Sequence, residues 1–177
     1  MEETPTQVEP SHSVRALETF EDYDTVTEIV KTVSSQPITD SEDERLFQKF
    51  KNKLDKYLEQ PHLLDPCIDE IVKQLLVPVR SRGCPHETVH RCLRYILVLT
   101  RVRGYKVIAR CFPHEITDVE PVLQMLEEHT FDDSSPRSSL YMLLLWLSIL
   151  VMIPFQLSRL ESGDGPNKSI AERYVRL

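Results

Sequence analysis

Apolar residues recur every three or four positions along most of the chain, a spacing that places them on one face of an α-helix. The clearest case is 42–59, where apolar side chains at 46, 47, 50, 54, 57 and 58 face away from lysines at 49, 51, 53 and 56. This pattern predicts an amphipathic helix with Asp40 or Ser41 as its N-terminal cap. The same periodicity predicts helices over 13–33, 66–78, 86–102, 105–112, 118–126 and 169–177.

Start and stop signals support this division into helices. Asp65 followed by Pro66 is a helix-start signal, and Thr117 with Glu120 three residues later has the spacing of a capping box. Gly104 marks a break between two predicted helices. Twelve prolines against four glycines indicate helices ended by proline, not hairpins built on glycine turns.

The most apolar stretch is LYMLLLWLSILVMI at 140–153, fourteen uncharged residues that include the only tryptophan, Trp146. As a helix it would rise about 21 Å, at about 1.5 Å per residue, whereas a bilayer core is about 30 Å thick. Pro154 would break the helix near its end. We therefore expect a core helix with neighbours on every side, around which the other helices pack; a membrane-anchored helical scaffold spanning 140–157 is the alternative.

Helices of this length, joined by short proline-bearing loops, predict an all-α protein built from stacked antiparallel helix pairs, the α-solenoid pattern. Because the residues show no strict repeat, a compact helical bundle stays open as an alternative. We expect residues 1–12, which are acidic and carry prolines, to be disordered, and 13–177 to form one helical segment. The last predicted helix spans barely two turns, which suggests a segment of a longer solenoid.

Charge is unevenly distributed along the chain. The formal net charge is −7, yet residues 80–110 carry eight basic side chains against one acidic one, Glu87. Such a segment is typical of a solvated helix face, of a docking surface for an acidic protein, or of a nucleic-acid site. Because no exposed aromatic residues are expected among its basic ones and the whole chain is acidic, we do not expect nucleic-acid binding.

The motif HETVH at 86–90 matches H-E-x-x-H, in which His86 and His90 would hold zinc and Glu87 would act as the base of a zinc-dependent hydrolase. The context is weak, because Pro85 places the motif at a helix start and Arg91 adds a charge. No third ligand follows at a usual zinc spacing. With no glycine-rich phosphate loop and no G-x-S-x-G, we expect no active site, metal or cofactor.

The four cysteines, Cys67, Cys84, Cys92 and Cys111, form no CxxC pair, and several fall at apolar helical positions. They predict reduced, mostly buried thiols. The N-terminal sequence MEETPTQVEP is acidic and lacks the basic and apolar regions of a signal peptide. These features together predict a cytosolic protein.

Three segments together resemble a known family. They are LDKYLEQPHLLDP at 54–66, TRVRGYKVIARCFPHEITDVEPVLQML at 100–126 and SLYMLLLWLSILVMIPFQLSRL at 139–160. They look like the N-terminal region of the tubulin-folding cofactor D family, the β-tubulin-specific chaperones. The resemblance covers about 42–177 and implies a HEAT/armadillo-type solenoid. The chain is several times shorter than members of that family.

The resemblance also implies a function without an active site. Family members capture β-tubulin, work with the other tubulin-folding cofactors and an ARF-like small GTPase, and stimulate GTP hydrolysis by tubulin in the cytoplasm. The family does not suggest a metal site at HETVH. From charge and position within these motifs, we predict partner contacts by Arg91, Arg94, Arg101, Arg103, Lys106, His114 and Glu115.

Overall fold

Seven α-helices and two short 3-10 turns account for most of the described residues, 18–35, 37–128 and 137–152 of the computed structural model. The helices are α1 Tyr23–Ser35, α2 Asp40–Asp55, α3 Asp65–Arg80, α4 His86–Arg103, α5 Tyr105–Cys111, α6 Val119–Glu128 and α7 Arg137–Val151. The 3-10 turns are Pro61–Leu64 and Ile116–Asp118. These parts of the chain contain no β-strand, and the all-α prediction is confirmed.

Several predictions fall outside the described residues. They concern the disordered segment 1–12, the start of the first helix at 13–17, the loop 162–167 and the final helix 169–177. The division of the chain at residue 12 and the single helical segment 13–177 stay predictions.

The central element is α4, which packs against α1, α2, α3, α5 and α7. Enclosure by five helices buries α4 around most of its circumference, including Arg91 and Thr100. α3 and α4, joined by the short loop 81–85, form a helical hairpin. The element that organises the described part of the fold is therefore a helix with four arginines, not the most apolar one.

The apolar helix α7 is less enclosed than its sequence predicts. It packs against α4, α5 and α6 and buries Trp146. Its opposite face leaves Tyr141, Leu144 and Val151 exposed, and Met152 just after the helix is 84% exposed. The prediction of neighbours on every side is wrong here, because apolar composition states what a helix can bury and not how many partners surround it. None of the helices in the described ranges is long and apolar enough to cross a membrane.

Helix ends differ from the predicted ones where several capping residues compete. The cap of α2 is Thr39, whose Oγ1 accepts a hydrogen bond from the Glu42 backbone N–H at 3.4 Å, and not Asp40 or Ser41. α2 ends at Asp55, so Leu58 lies in the following turn and is exposed. Helix α1 begins at Tyr23, after non-helical residues 18–22, rather than at residue 13.

Asp65 and Asp118, which belong to the start signals of α3 and α6, bind arginines distant in sequence. Asp65 is the first residue of α3, and its carboxylate accepts hydrogen bonds from Arg103. The Thr117 hydroxyl donates to the Glu115 carboxylate at 3.4 Å, and Asp118 binds Arg80. Sequence signals identified the right places for helix starts but not the partners of these side chains.

One contiguous core joins the helices. The largest fully buried side chains in it are Trp146, Tyr57, Tyr95, Phe50 and Phe112. The Tyr95 ring lies 4.9 Å from that of Phe50, and the Phe112 ring lies 5.4 Å from that of Trp146, distances at which aromatic pairs add to the stability from burial. These contacts hold α4 and α7 at fixed positions beneath the surface described next.

Candidate partner-binding surface

The basic residues of 80–110 separate into arginines that are paired with carboxylates of the chain and exposed cations that form no ion pair within the described ranges. Arg91 belongs to the first group. Its side chain is only 4% exposed, with Nε 3.5 Å from the carboxylate of Asp43 and Nη2 2.8 Å from that of Glu87. Nη2 also donates to the backbone carbonyl of Ile38 at 3.4 Å. Arg91 therefore joins α4 to α2 and the segment before it. Its side chain is buried against these elements, and its predicted contact with a partner stays a prediction.

Arg94 also joins α4 to α2. Its guanidinium donates to the Glu44 carboxylate at 2.6 Å and lies 3.5 Å from the centre of the Phe47 ring, a cation–π arrangement. Hydrogen bonds from Gln48 and Arg94 lower the pKa of Glu44. The guanidinium is thus occupied by groups of this same chain.

Two further arginines join elements distant in sequence. Arg103 binds Asp65 through two nitrogens, with Nη2 2.8 Å from Oδ2, and this bond lowers the pKa of the Asp65 carboxyl. Arg80 donates to Asp118 at 2.9 Å and to Glu115 at 2.9 Å. Burial opposes the charge on Arg80, but the two carboxylates outweigh it and raise its pKa.

The second group is exposed and carries uncompensated positive charge. Arg82, Arg101, Lys106 and Arg110 form no ion pair with any residue of the described ranges. Of these, the predicted contact residues Arg101 and Lys106 lie at the junction of α4 and α5, on either side of Gly104. A cation that no carboxylate of the described ranges satisfies is available to one from a partner.

A groove opens at this junction, between the end of α4, the start of α5 and the start of α7. Its lining includes Arg101, Tyr105, Arg137 and Tyr141. Residues Tyr105 and Tyr141 are 52% and 48% exposed. No acidic side chain is found among the described residues that line the groove.

Sequence reasoning missed both tyrosines. Exposed aromatic residues were not expected beside the basic ones, yet Tyr105 lies next to Lys106 and shares the groove with Arg101. Its position directly after a glycine break could have indicated exposure. Tyr141 had no such signal, since it lies inside the apolar run of α7 and only the helix packing shows which face is uncovered.

His114 and Glu115 lie elsewhere. Glu115 lines a separate groove between α3 and α5 that includes Val77, Arg80 and Arg110, and its carboxylate is paired with Arg80. His114 is exposed in the loop that follows α5. The structure therefore does not bring these two predicted residues together with Arg101 at one groove.

The HETVH residues point in different directions. His86 is exposed and lies 3.7 Å from the Glu128 carboxylate, whereas the Nδ1 of His90 is 2.8 Å from the hydroxyl of the buried Ser139. Glu87 is paired with Arg91. The described ranges hold no group of three or more His, Cys, Asp or Glu side chains that could bind a metal ion, and the zinc-hydrolase alternative has no support.

The four cysteines are free, as predicted. Cys92 and Cys111 are buried, and Cys67 and Cys84 are half-buried. Burial raises the pKa of all four thiols, to about 11 for Cys67 and about 12 for Cys92. Thiols with raised pKa are poor nucleophiles at neutral pH, so none of these four is an activated cysteine.

Comparison with known proteins identifies the family of the chain. A family model described as tubulin-specific chaperone D-like, ARM repeat, matches residues 54–177, more than two thirds of the chain. The chain belongs to this family. The match confirms the resemblance carried by the segments at 54–66, 100–126 and 139–160, and with it the armadillo-type helical fold.

Two curated relatives belong with this tubulin-specific chaperone D-like family. Tubulin-specific chaperone D of Dictyostelium discoideum is 24% identical over 193 residues, covering 63% of this chain and 13% of the relative. Tubulin-folding cofactor D of Schizosaccharomyces pombe is 26% identical over 157 residues, covering 84% of this chain and 14% of the relative. The chaperone D-like chain thus spans about one seventh of their length. No solved structure matches it significantly.

Proposed function

We propose that this chain is an armadillo-type binding segment of a tubulin-specific chaperone of the cofactor D kind, with β-tubulin as its client. The observation that carries the proposal is the family match over 54–177, supported by two relatives named for tubulin folding. Stacked helices present an extended surface that suits binding rather than catalysis. The segment acts by contact with its client in the cytoplasm and carries out no chemistry of its own.

The resemblance extends the proposal to partners. The segment works with the other tubulin-folding cofactors and an ARF-like small GTPase, and contributes to stimulation of GTP hydrolysis by tubulin. Such an activator needs no nucleotide site, because hydrolysis takes place in the tubulin. Association with the cytoskeleton follows from the same role.

The paired and unpaired cations divide the predicted contact residues by role. Arg94 and Arg103 contribute to the fold through Glu44 and Asp65, since each guanidinium is held by a carboxylate of the chain. Arg101 and Lys106 are exposed and make no such pair within the described ranges, so they are the residues proposed to meet the client. Rim charges of this kind mainly raise the rate of association.

Affinity capture tests the proposal. The chain is immobilised and incubated with β-tubulin and, separately, with α-tubulin; a second sample is extended by the helices that follow in its longer relatives. Selective retention of β-tubulin by either sample supports the function. If both samples retain α-tubulin and β-tubulin equally, or neither, the client assignment is wrong.

The activator role has its own measurement. GTP hydrolysis by tubulin is followed with the partner cofactors present, with and without the extended chain, and a faster rate is expected when it is added. An unchanged rate with selective β-tubulin capture intact would separate binding from activation.

A further inference from the structure

The groove at the α4–α5 junction combines features that point to one class of ligand. Arg101 supplies a guanidinium that no carboxylate of the described residues occupies, and Tyr105 and Tyr141 supply two half-exposed rings. Arginine and tyrosine are among the residue types enriched at the energetic centres of protein interfaces. Elsewhere in the same basic segment, Arg80, Arg91, Arg94 and Arg103 are all neutralised by the chain's own acidic residues.

The charge of the groove differs from that of the whole chain and indicates the sign of the partner's charge. The chain as a whole carries a net charge of −7, so its surface in general repels acidic partners. The groove departs from this, because its described lining contains Arg101 without an ion-pair partner in the described ranges and no carboxylate, and Lys106 is exposed beside Tyr105. An acidic ligand finds its complement at this position.

The charges around the groove favour a peptide over a nucleic acid. A duplex or long single strand gains affinity by neutralising many phosphates along a continuous basic surface. Here the adjoining arginines of α4 are already paired with Asp43, Glu44 and Asp65, whose carboxylates lie beside them. A short acidic segment can place one or two carboxylates on the guanidinium while its backbone and side chains pack against the tyrosine rings.

We infer that the groove lined by Arg101, Tyr105 and Tyr141 is a docking site for an acidic peptide segment of a protein partner. Arg101 holds a partner carboxylate, and the two rings form the apolar walls. This rests on the proposed function only in taking the exposed surface to serve partner binding; the class of ligand follows from the groove itself.

Fluorescence anisotropy with a labelled oligoglutamate peptide tests the site on the whole chain. The peptide is expected to bind and its oligoglutamine counterpart to bind much more weakly. Arg101→Glu should weaken oligoglutamate binding by about tenfold or more, and Tyr141→Ala by about fivefold. Both side chains are exposed, and circular dichroism and the melting temperature should be unchanged.

A matched control uses the other end of α4. Arg82→Glu makes the same charge change in the turn before α4, whose first residue is about 22 Å of helix rise from Arg101, and should leave the affinity within about twofold. If Arg82→Glu and Arg101→Glu weaken binding equally, net charge rather than the groove is responsible and the inference is wrong. Should Arg101→Glu alter the fold, Arg101→Gln and Tyr141→Ala give the same comparison without a charge reversal.

Competing ligands separate the alternatives. Oligothymidylate or phosphatidylserine vesicles that bind more tightly than oligoglutamate, and lose binding in Arg101→Glu, would replace the peptide with a nucleic acid or a membrane and overturn the inference. Retention of β-tubulin by the chain without any oligoglutamate binding would overturn the inference and leave the proposed function standing. Oligoglutamate binding that depends on Arg101, without β-tubulin capture, would leave the inference standing and count against the function.

Discussion

Arg91 of α4 and Asp43 of α2 face each other inside the protein, with Nε 3.5 Å from Oδ1 and the two side chains 4% and 15% exposed. Nε and Nη1 of Arg91 have no hydrogen-bond partner within the described ranges. Burial raises the pKa of Asp43, while attraction to Arg91, the bond from Tyr95 and attraction to Arg94 oppose it. An ion pair held this way adds little net stability, yet the loss of one member leaves the other charge without its partner.

We therefore expect Arg91→Met to destabilise the fold by about 3 kcal/mol at neutral pH. The Asp43 carboxylate stays buried, and the remaining partners among the described residues are Arg94 and Tyr95. The double variant Arg91→Met with Asp43→Asn should recover more than half of this loss, since it removes the stranded charge. Urea denaturation of the four proteins of this cycle measures the coupling. Additive losses would mean that the two charges do not interact.

The destabilisation by Arg91→Met should depend on pH, and this dependence is a second test of the Asp43 charge. The raised pKa of Asp43 means that the folded protein binds this proton more tightly than the unfolded chain does. The loss of stability caused by ionised Asp43 therefore grows as pH rises, first through the unfolded pKa and then through the folded pKa. The destabilisation by Arg91→Met should shrink as pH falls from neutral towards about 4, the ordinary value for a carboxyl. A loss that is constant over this range would contradict an origin in the Asp43 charge.

Apolar periodicity predicted the helices closely where one face is buried. The helix predicted at 86–102 is α4, His86–Arg103, and that at 105–112 is α5, Tyr105–Cys111. In these segments the apolar residues recur with the period of the helix, so the local sequence pattern is enough to predict the helix. The armadillo-type fold was indicated by the helix lengths, the short loops and the motif resemblance, and not by any repeat in the residues.

The enclosure of α4 could not be predicted, because it depends on partners far away in sequence. Arg91 lies at a polar position of its helix, and only Asp43, which comes 48 residues earlier, shows why it is inside. In the same way, Asp65 has every local mark of a helix cap but binds Arg103. The candidate groove likewise depends on Tyr141, whose exposure follows from which sides of α7 the neighbouring helices leave open.

The contribution of Asp22 to stability should depend on pH in the opposite direction to that of Asp43. Burial opposes its ionisation, but hydrogen bonds from Lys53 at 2.6 Å and Lys56 at 3.1 Å outweigh this and lower its pKa. Its stabilising effect is thus fully present above about pH 3.9 and is lost as pH falls through the lower folded pKa. Because both lysines are partly exposed, we expect Asp22→Asn to cost about 1–2 kcal/mol at pH 7.

Denaturant titrations of Asp22→Asn at pH 7, 5 and 3 measure this. The difference from the unmodified chain should be equal at pH 7 and pH 5 and smaller at pH 3. Asp69→Asn is the control, since its pair with Lys73 is exposed on both sides and should contribute less than about 0.5 kcal/mol. A difference for Asp22→Asn that grows towards low pH would show that the sign is wrong.

Trp146 fixes α7 to the loop after α5. Its Nε1 donates to the Pro113 carbonyl at 3.1 Å, and its ring packs against Phe112. Trp146→Phe keeps most of the packing but removes the donor, and should cost about 1–2 kcal/mol; Trp146→Ala also leaves a cavity and should cost about 3–5 kcal/mol.

Thermal denaturation followed by circular dichroism compares both Trp146 variants with Leu144→Ala, an exposed position on the same helix that should change stability by less than about 0.5 kcal/mol. Equal losses for the phenylalanine and alanine variants would mean that ring packing adds little to the stability.

Gly104 sets the angle between α4 and α5, and hence the position of Tyr105 relative to Arg101. Its φ of 95° and ψ of 143° lie close to a region of backbone conformation that is almost confined to glycine, and an added Cβ would meet no atom within 4 Å. The cost of Gly104→Ala is therefore backbone strain alone, and we expect a loss of about 1–3 kcal/mol in the free energy of unfolding. Lys106→Ala, two residues away and exposed, should change it by less than about 0.5 kcal/mol. Stability of Gly104→Ala equal to or above that of the unmodified chain, measured by urea denaturation, would mean that residue 104 does not need this conformation and that the break between the helices has another cause.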